Sequence, residues 1–176
     1  WAIEGAIGSE LKIDASYLSP NVNMAARLEV AAKQYGVLIL MSENFWALLT
    51  AQTRSLCRRL DRVLMNGHSQ PLSLYTYDVV SRPPDTSTLS CGQQQKMSVR
   101  HFFEANPPRL SPIFRNNHAK AVELYVEGEW AQARTKLREC LSEHPNDKPS
   151  QVLLEYMASC GNKAPSDWEG FRQLIE

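Results

Sequence analysis

Apolar positions change rhythm twice along this chain. Ala2 to Ile7 is short, apolar and broken by Gly5 and Gly8, which predicts a strand and a tight turn. Lys12 to Leu18 mixes polar and apolar residues as the returning strand of a hairpin. Ser19-Pro20 marks a helix start, with serine at the N-cap and proline at the first helical position. The helix is predicted to reach Tyr35, to bury Val22, Ala25, Ala26, Leu28, Ala32 and Tyr35, and to stop at Gly36. Val37-Leu38-Ile39-Leu40-Met41 is wholly apolar, the pattern of a strand covered on both faces. Ser42 caps a short helix carrying Phe45, Trp46, Leu48 and Leu49. Two further strands, near Arg58–Met65 and Leu72–Val79, flank Asn66-Gly67, a favoured hairpin-turn pair.

Periodicity vanishes between 81 and 98, where proline, serine, threonine and glutamine dominate; this stretch reads as a mobile linker. A helical rhythm follows. Phe114 to Glu127 is one amphipathic helix ended by Gly128, and Trp130 to Glu143 is a second, ended before Pro145. A third covers Ser150 to Ser159, and a fourth follows Ser166-Asp167-Trp168. The spacing Ala121, Tyr125, Gly128, Trp130, Ala133, Leu137, Leu141, Pro145 resembles a tetratricopeptide helical hairpin. Stacked repeats need about three units, and one is present, so the plain reading is a helical appendage packed on its neighbour. The expected organisation is therefore a sheet domain over 1–80, a linker over 81–98 and a helical extension over 99–176.

Nineteen acidic and nineteen basic residues balance, so charge offers no case for a nucleic-acid partner or an anionic membrane. Cys57, Cys91, Cys140 and Cys160, like His68, His101, His118 and His144, are scattered without metal-ligand spacing. Reduced thiols in an intracellular setting are the plain reading. No apolar run approaches the roughly 20 residues that span a bilayer, and no signal-peptide pattern is visible, so a soluble piece is expected.

Asn23 and Arg27 are the best clue to chemistry. Four residues apart on a helix, an amide and a guanidinium share one face, about one turn apart. One side chain can hold a sugar while the other meets a phosphate. A helix-surface polar pair, or an interface salt bridge, is the alternative that spacing alone leaves open.

The surrounding residues carry a resemblance. Gly5-Ala6-Ile7-Gly8, Lys12-Ile13-Asp14-Ala15-Ser16-Tyr17 and Val22-Asn23-Met24-Ala25-Ala26-Arg27-Leu28-Glu29 resemble the class III adenylate/guanylate cyclase catalytic domain. Tyr35-Gly36-Val37, Leu38-Ile39-Leu40-Met41-Ser42 and Leu74-Tyr75-Thr76-Tyr77 continue it in the family's order. It covers residues 1 to about 80, the C-terminal half of that domain. The tail with Trp130 and Asp167-Trp168 resembles extensions of some large protist cyclases.

The resemblance implies an α+β fold: the C-terminal half of a ferredoxin-like cyclase sheet, then a linker and an all-α helical hairpin. It implies conversion of ATP or GTP to a 3′,5′-cyclic nucleotide and pyrophosphate. Asn23 matches the family's ribose-orienting asparagine, and Arg27 the arginine that stabilises charge on the α-phosphate. Ser16 matches the side chain reading the purine edge; a hydroxyl donates or accepts, so either base fits. Lys12, Asn66 and His68 are the remaining substrate-binding candidates, with a hairpin surface residue and a turn as their plain readings. Where the family has Gly-Asp-Thr, this chain has Ser19-Pro20-Asn21; Met65-Asn66-Gly67 replaces its phosphate-gripping Val-Lys-Gly. Mg²⁺ or Mn²⁺ is the implied cofactor, with its aspartate ligands in the domain's first half, outside this chain. A second cyclase domain, as homodimer or tandem, supplies that half, and the helical extension offers a place for a protein partner. A cytoplasmic location, as the cytosolic part of a membrane protein in many relatives, is implied too. The competing reading is a non-catalytic cyclase-like scaffold subunit.

Overall fold

The computed structural model describes residues 2–9, 12–67, 69–78 and 110–174. The linker, His68, Cys91, His101, Phe102 and Phe103 lie outside the described residues. The fold is mixed α and β, with two sheets and six helices among the described residues.

The expected hairpin forms. β1 (Ile3–Ser9) pairs antiparallel with β2 (Lys12–Leu18), in register from Ile3↔Leu18 to Ser9↔Lys12. It stands apart from the main sheet, and every described side chain on it except Ser16 is exposed. Ser19 then caps α1 (Pro20–Tyr35): its Oγ accepts from the Asn21 and Val22 amides, each at 3.1 Å. Gly36, in the left-handed region, ends the helix.

The face that α1 buries differs from expectation. Ala31 and Tyr35 are buried, Leu28 and Ala32 are half-buried, and Val22, Ala25 and Ala26 are exposed. The face that meets the core carries Met24, Leu28, Ala31 and Tyr35, while Val22, Ala25 and Ala26 lie on a different side of the helix. The apolar run after it is likewise not the long covered strand that its composition predicts. β3 is only Met41–Ser42, and Leu38 is 68% exposed. The rest of the run is covered without strand pairing: Met41 is buried, and Val37 and Leu40 pack against the sheet core.

α2 (Glu43–Ala47), capped by Ser42, and α3 (Ala51–Leu56), capped by Thr50, lead into β4 (Arg58–Met65). β4 pairs antiparallel with β5 (Leu72–Thr76), with a register shift between Arg59 and Asp61. Asn66-Gly67 opens the connection between them, which runs over 66–71 rather than forming a two-residue turn.

α4 (Pro112–Val126) and α5 (Trp130–Glu143) pack on each other across the Gly128 turn, and α6 (Lys148–Ser159) packs on α5. Tyr125, Trp130, Tyr156 and Trp168 form one aromatic cluster, with ring centroids 5.1–6.3 Å apart. The Trp130 and Trp168 indole N–H groups donate to the carbonyls of Tyr125 and Val126, each at 3.0 Å. The two indoles thus bury large rings with their N–H groups paired, while the buried Tyr125 hydroxyl has no hydrogen-bond partner among the described residues.

The expected fourth helix is absent from the described residues. After Trp168 the chain forms β6 (Arg172–Leu174), which joins the main sheet parallel to β4. The order is β3-β5-β4-β6, so the last strand of the helical region completes the sheet of the first. Leu174 shares a core with Ala31, Tyr35, Leu60, Val63, Met65 and Leu74.

Two buried ion networks cross the same boundary. Arg58 on β4 donates to Asp78 at 2.8 and 3.0 Å and to Asp147, the N-cap of α6, at 2.9 and 3.1 Å. Arg172 donates to Asp61 at 2.8 Å and to the Tyr35 hydroxyl at 2.9 Å, while that hydroxyl donates to Asp61 at 2.6 Å. Burial opposes the charge on Arg172, but Asp61 outweighs it and raises its pKa above the ordinary value. Such pairs are demanding: removing one partner leaves an uncompensated buried charge.

Candidate functional site

Asn23 and Arg27 lie on α1 one turn apart, as their spacing predicts; Asn23 is exposed and Arg27 half-buried. The Ser19-Pro20-Asn21 start holds the turn that presents Asn23, whose backbone amide donates to the Ser19 carbonyl at 3.1 Å.

The tertiary fold brings one more predicted element to this pair. Gly67 has φ 72°, in the left-handed region, and a Cβ built there would lie 3.3 and 3.4 Å from Arg27 Nη1 and Nη2. The guanidinium therefore sits over the β4–β5 connection, close against a glycine favoured there by its backbone angle. Asn66 is exposed beside it, its Oδ1 accepting from Gln173 Nε2 at 3.2 Å. A cation, an exposed amide and a tight glycine turn thus form one surface, a suitable setting for a phosphate-bearing ligand.

The hairpin candidates lie on β2. Ser16 lies opposite Gly5 on β2, half-buried and two residues before the strand leads towards α1. Lys12 opens β2 opposite Ser9, about 20 Å along the strand from its α1 end. His68 falls outside the described residues.

The opposite side of α1 is apolar. A groove of about 740 Å³ runs between Met24, Ala25 and Leu28 on the helix and Leu40, Phe45 and Leu48 beyond it. By the helical repeat this face is turned roughly 140° from Asn23 and Arg27. The helix thus shows a polar, phosphate-suited face on one side and an open apolar face on the other. A smaller cavity of about 280 Å³ lies where α6 meets the sheet, but Arg58, Asp78 and Asp147 in its wall already satisfy one another.

No group of three or more His, Cys, Asp or Glu side chains among the described residues is placed to hold a metal ion. Among the described residues, no helix is long and apolar enough to cross a membrane.

Comparison with known proteins adds one relationship. The chain is similar to an adenylate cyclase. Over 154 residues it is 23% identical to the adenylate cyclase, terminal-differentiation specific, of Dictyostelium discoideum. The match takes in 87% of this chain and 6% of that protein, so the chain spans a small part of that relative's length. A match of this length continues past residue 80 into the helical region. No family model matches the chain, and no solved structure matches it.

Residues missed by sequence reasoning are those acting at long range. Gln173 and Arg172 carry no local signal, since a three-residue strand has no periodicity of its own.

Proposed function

We propose that this chain is part of a nucleotide cyclase, contributing the ribose- and phosphate-contacting side of a site that forms a cyclic nucleotide from ATP or GTP. The observation that carries this reading is Arg27 poised over the Asn66-Gly67 connection, one helical turn from Asn23. The similarity to an adenylate cyclase supplies the reaction class.

In this reading the Asn23 amide orients the ribose so that its 3′-oxygen faces the α-phosphate. The Arg27 guanidinium faces the charge that grows on that phosphate as pyrophosphate leaves. Its position is fixed before reaction, which is how a preorganised donor lowers a barrier. Ser16 lines the approach for the purine edge, and the Asn66 amide serves the terminal phosphates where the family has lysine. Mg²⁺ or Mn²⁺ would activate the attacking oxygen and neutralise phosphate charge; the described residues do not form a site for it. Its ligands, and the rest of the site, are assigned to a second cyclase domain, in a homodimer or in tandem. The exposed apolar hairpin and the α1 groove give that domain surfaces to cover. The chain alone is then inactive, the helical region is left to a protein partner, and the location is cytoplasmic.

The test is cyclic nucleotide formation by the intact protein with ATP and GTP and Mg²⁺ or Mn²⁺. Arg27→Ala is expected to lower kcat by about 10²–10³, the scale of losing one preorganised donor, with Asn23→Ala also strongly impaired. Unchanged turnover in both variants sinks the assignment. The replacement of the phosphate-gripping lysine by Asn66 favours a second reading, a non-catalytic scaffold, which micromolar binding of ATP or GTP by the intact protein counts against.

A further inference from the structure

β6 belongs by sequence to the helical region, yet its three residues all act on the elements that carry the proposed site. Arg172 bonds Tyr35, the last residue of α1, and Asp61 in the middle of β4. Leu174 pairs with Met65, the residue before Asn66, and is buried in the same core as Ala31, one turn beyond Arg27 on α1. Gln173 reaches the Asn66 side chain itself at 3.2 Å, across 107 residues of sequence. The approach to β6 is equally constrained. Gly170 has φ 82°, and a Cβ there would meet the Val126 carbonyl oxygen at 2.9 Å, so the chain runs hard against the end of α4 before entering the sheet.

Arg27 is half-buried and reaches its place only if two separate elements keep their relative position: α1, which carries it, and the β4–β5 connection, over which it lies. On α1, Met24 and Leu28 pack on the same core as Ala31 and Tyr35, and β6 contributes Leu174 to that core. β6 touches both elements at once.

We infer that β6 is a positioning strand for the proposed site, with Gln173 holding the Asn66-Gly67 connection beneath Arg27 while Arg172 and Leu174 hold the C-terminal half of α1 to β4. This rests on the cyclase reading for its catalytic consequence, and on the structure alone for its mechanical one. Gln173 is a positioning residue: it acts through Asn66. It also makes the helices α4–α6 a source of control, because whatever displaces them pulls on the strand that fastens the site.

The decisive variant is Gln173→Ala in the intact protein, chosen because the side chain is exposed and its loss spares the core. With ATP or GTP and Mg²⁺, kcat is expected to fall roughly 2- to 10-fold, the range of one neutral hydrogen bond, with KM held within about twofold. Hydrogen exchange followed by mass spectrometry is expected to quicken in peptides covering 64–71 and to stay unchanged across α4–α6. Where Arg27→Ala lowers turnover, unchanged turnover in Gln173→Ala overturns the inference, and so does a fall in kcat with no change in exchange at the connection. Arg27→Ala, run in parallel, separates the two levels. If that variant keeps full turnover the cyclase reading fails, and exchange in Gln173→Ala then decides by itself whether β6 holds the connection. Arg172→Lys, which keeps the charge but loses the two-pronged geometry, is expected to quicken exchange at the end of α1 as well; no change there overturns its part.

Discussion

Ile3, Ile7 and Ile13 of the hairpin are 63%, 56% and 73% exposed, while Tyr125 and Trp130 of the helical region are 0% and 2% exposed. Both regions are apolar enough to form a core, but only one does so within this chain. The hairpin is defined by the local register of β1 on β2, and an isolated two-stranded hairpin is only marginally stable in water. The helical region has an aromatic cluster of its own and contacts that cross the chain: two buried ion networks and a strand delivered into a distant sheet. Local pattern is enough to shape an element, whereas burial decides whether that element is held.

The sharpest way to break this contrast is to attack the long-range contacts. Arg58→Ala strands Asp78 and Asp147 beneath the surface and removes the charge that faces the α6 cap. Stability measured by urea unfolding is expected to fall by about 3–5 kcal/mol, the scale for removing one partner of a buried pair. A loss below about 1 kcal/mol would show the junction to be wetter than its geometry implies.

Next in size is an acid effect seated at His118. The residue is fully buried beside Phe114, and neither ring nitrogen has a hydrogen-bond partner among the described residues. Burial, and then the nearby Arg58 cation, push its pKa from 6.5 down to about 3, although Asp147 acts in the opposite direction. The unfolded chain takes up this proton below about pH 6.5 and the folded chain does not, so the stabilising contribution is whole above that pH. It is lost progressively as pH falls towards 3, at up to about 1.4 kcal/mol per pH unit. Asp147, whose pKa is itself lowered by Arg58 against the opposing effect of burial, adds acid sensitivity of the same sign at the bottom of that range. His118→Phe is expected to flatten the slope between pH 6.5 and 4.5; a parallel slope in the variant would assign the effect to other groups.

The smallest effect is expected from the hairpin. Ile7→Ala and Ile13→Ala are predicted to change the stability of this chain by no more than about 0.5 kcal/mol, as exposed substitutions do. The same pair is expected to weaken assembly of the intact protein, read by analytical ultracentrifugation, if a second domain covers this face.

How much of this was legible in the residues follows the same division. Ser19-Pro20, Gly36, Ser42, Asn66-Gly67 and Gly128 all marked real boundaries, because caps and turns depend on a few adjacent residues. The strand expected over 37–41 shrank to Met41–Ser42, because an apolar run predicts covering and Leu38 has none. The predicted buried face of α1 was right in part: Leu28 and Tyr35 face the core, joined by Met24 and Ala31, while Val22, Ala25 and Ala26 lie on another side of the helix. The tail was misread as helix because nothing near Arg172 signals that it will pair with Asp61. At the site, the shared face of Asn23 and Arg27 was legible, and the approach of Arg27 to Gly67 was not, since it joins two elements far apart in sequence.

The parallel seating of β6 on β4 also has a kinetic side. Asp61 and Arg172 are 111 residues apart, and their contact closes a loop spanning most of the chain. The entropy of that closure must be met before the pairing returns any stability, which makes it a late and slow contact to form. During synthesis the β4–β5 connection emerges long before Gln173 exists to hold it, so the surface around Arg27 matures only after residue 174 has left the ribosome.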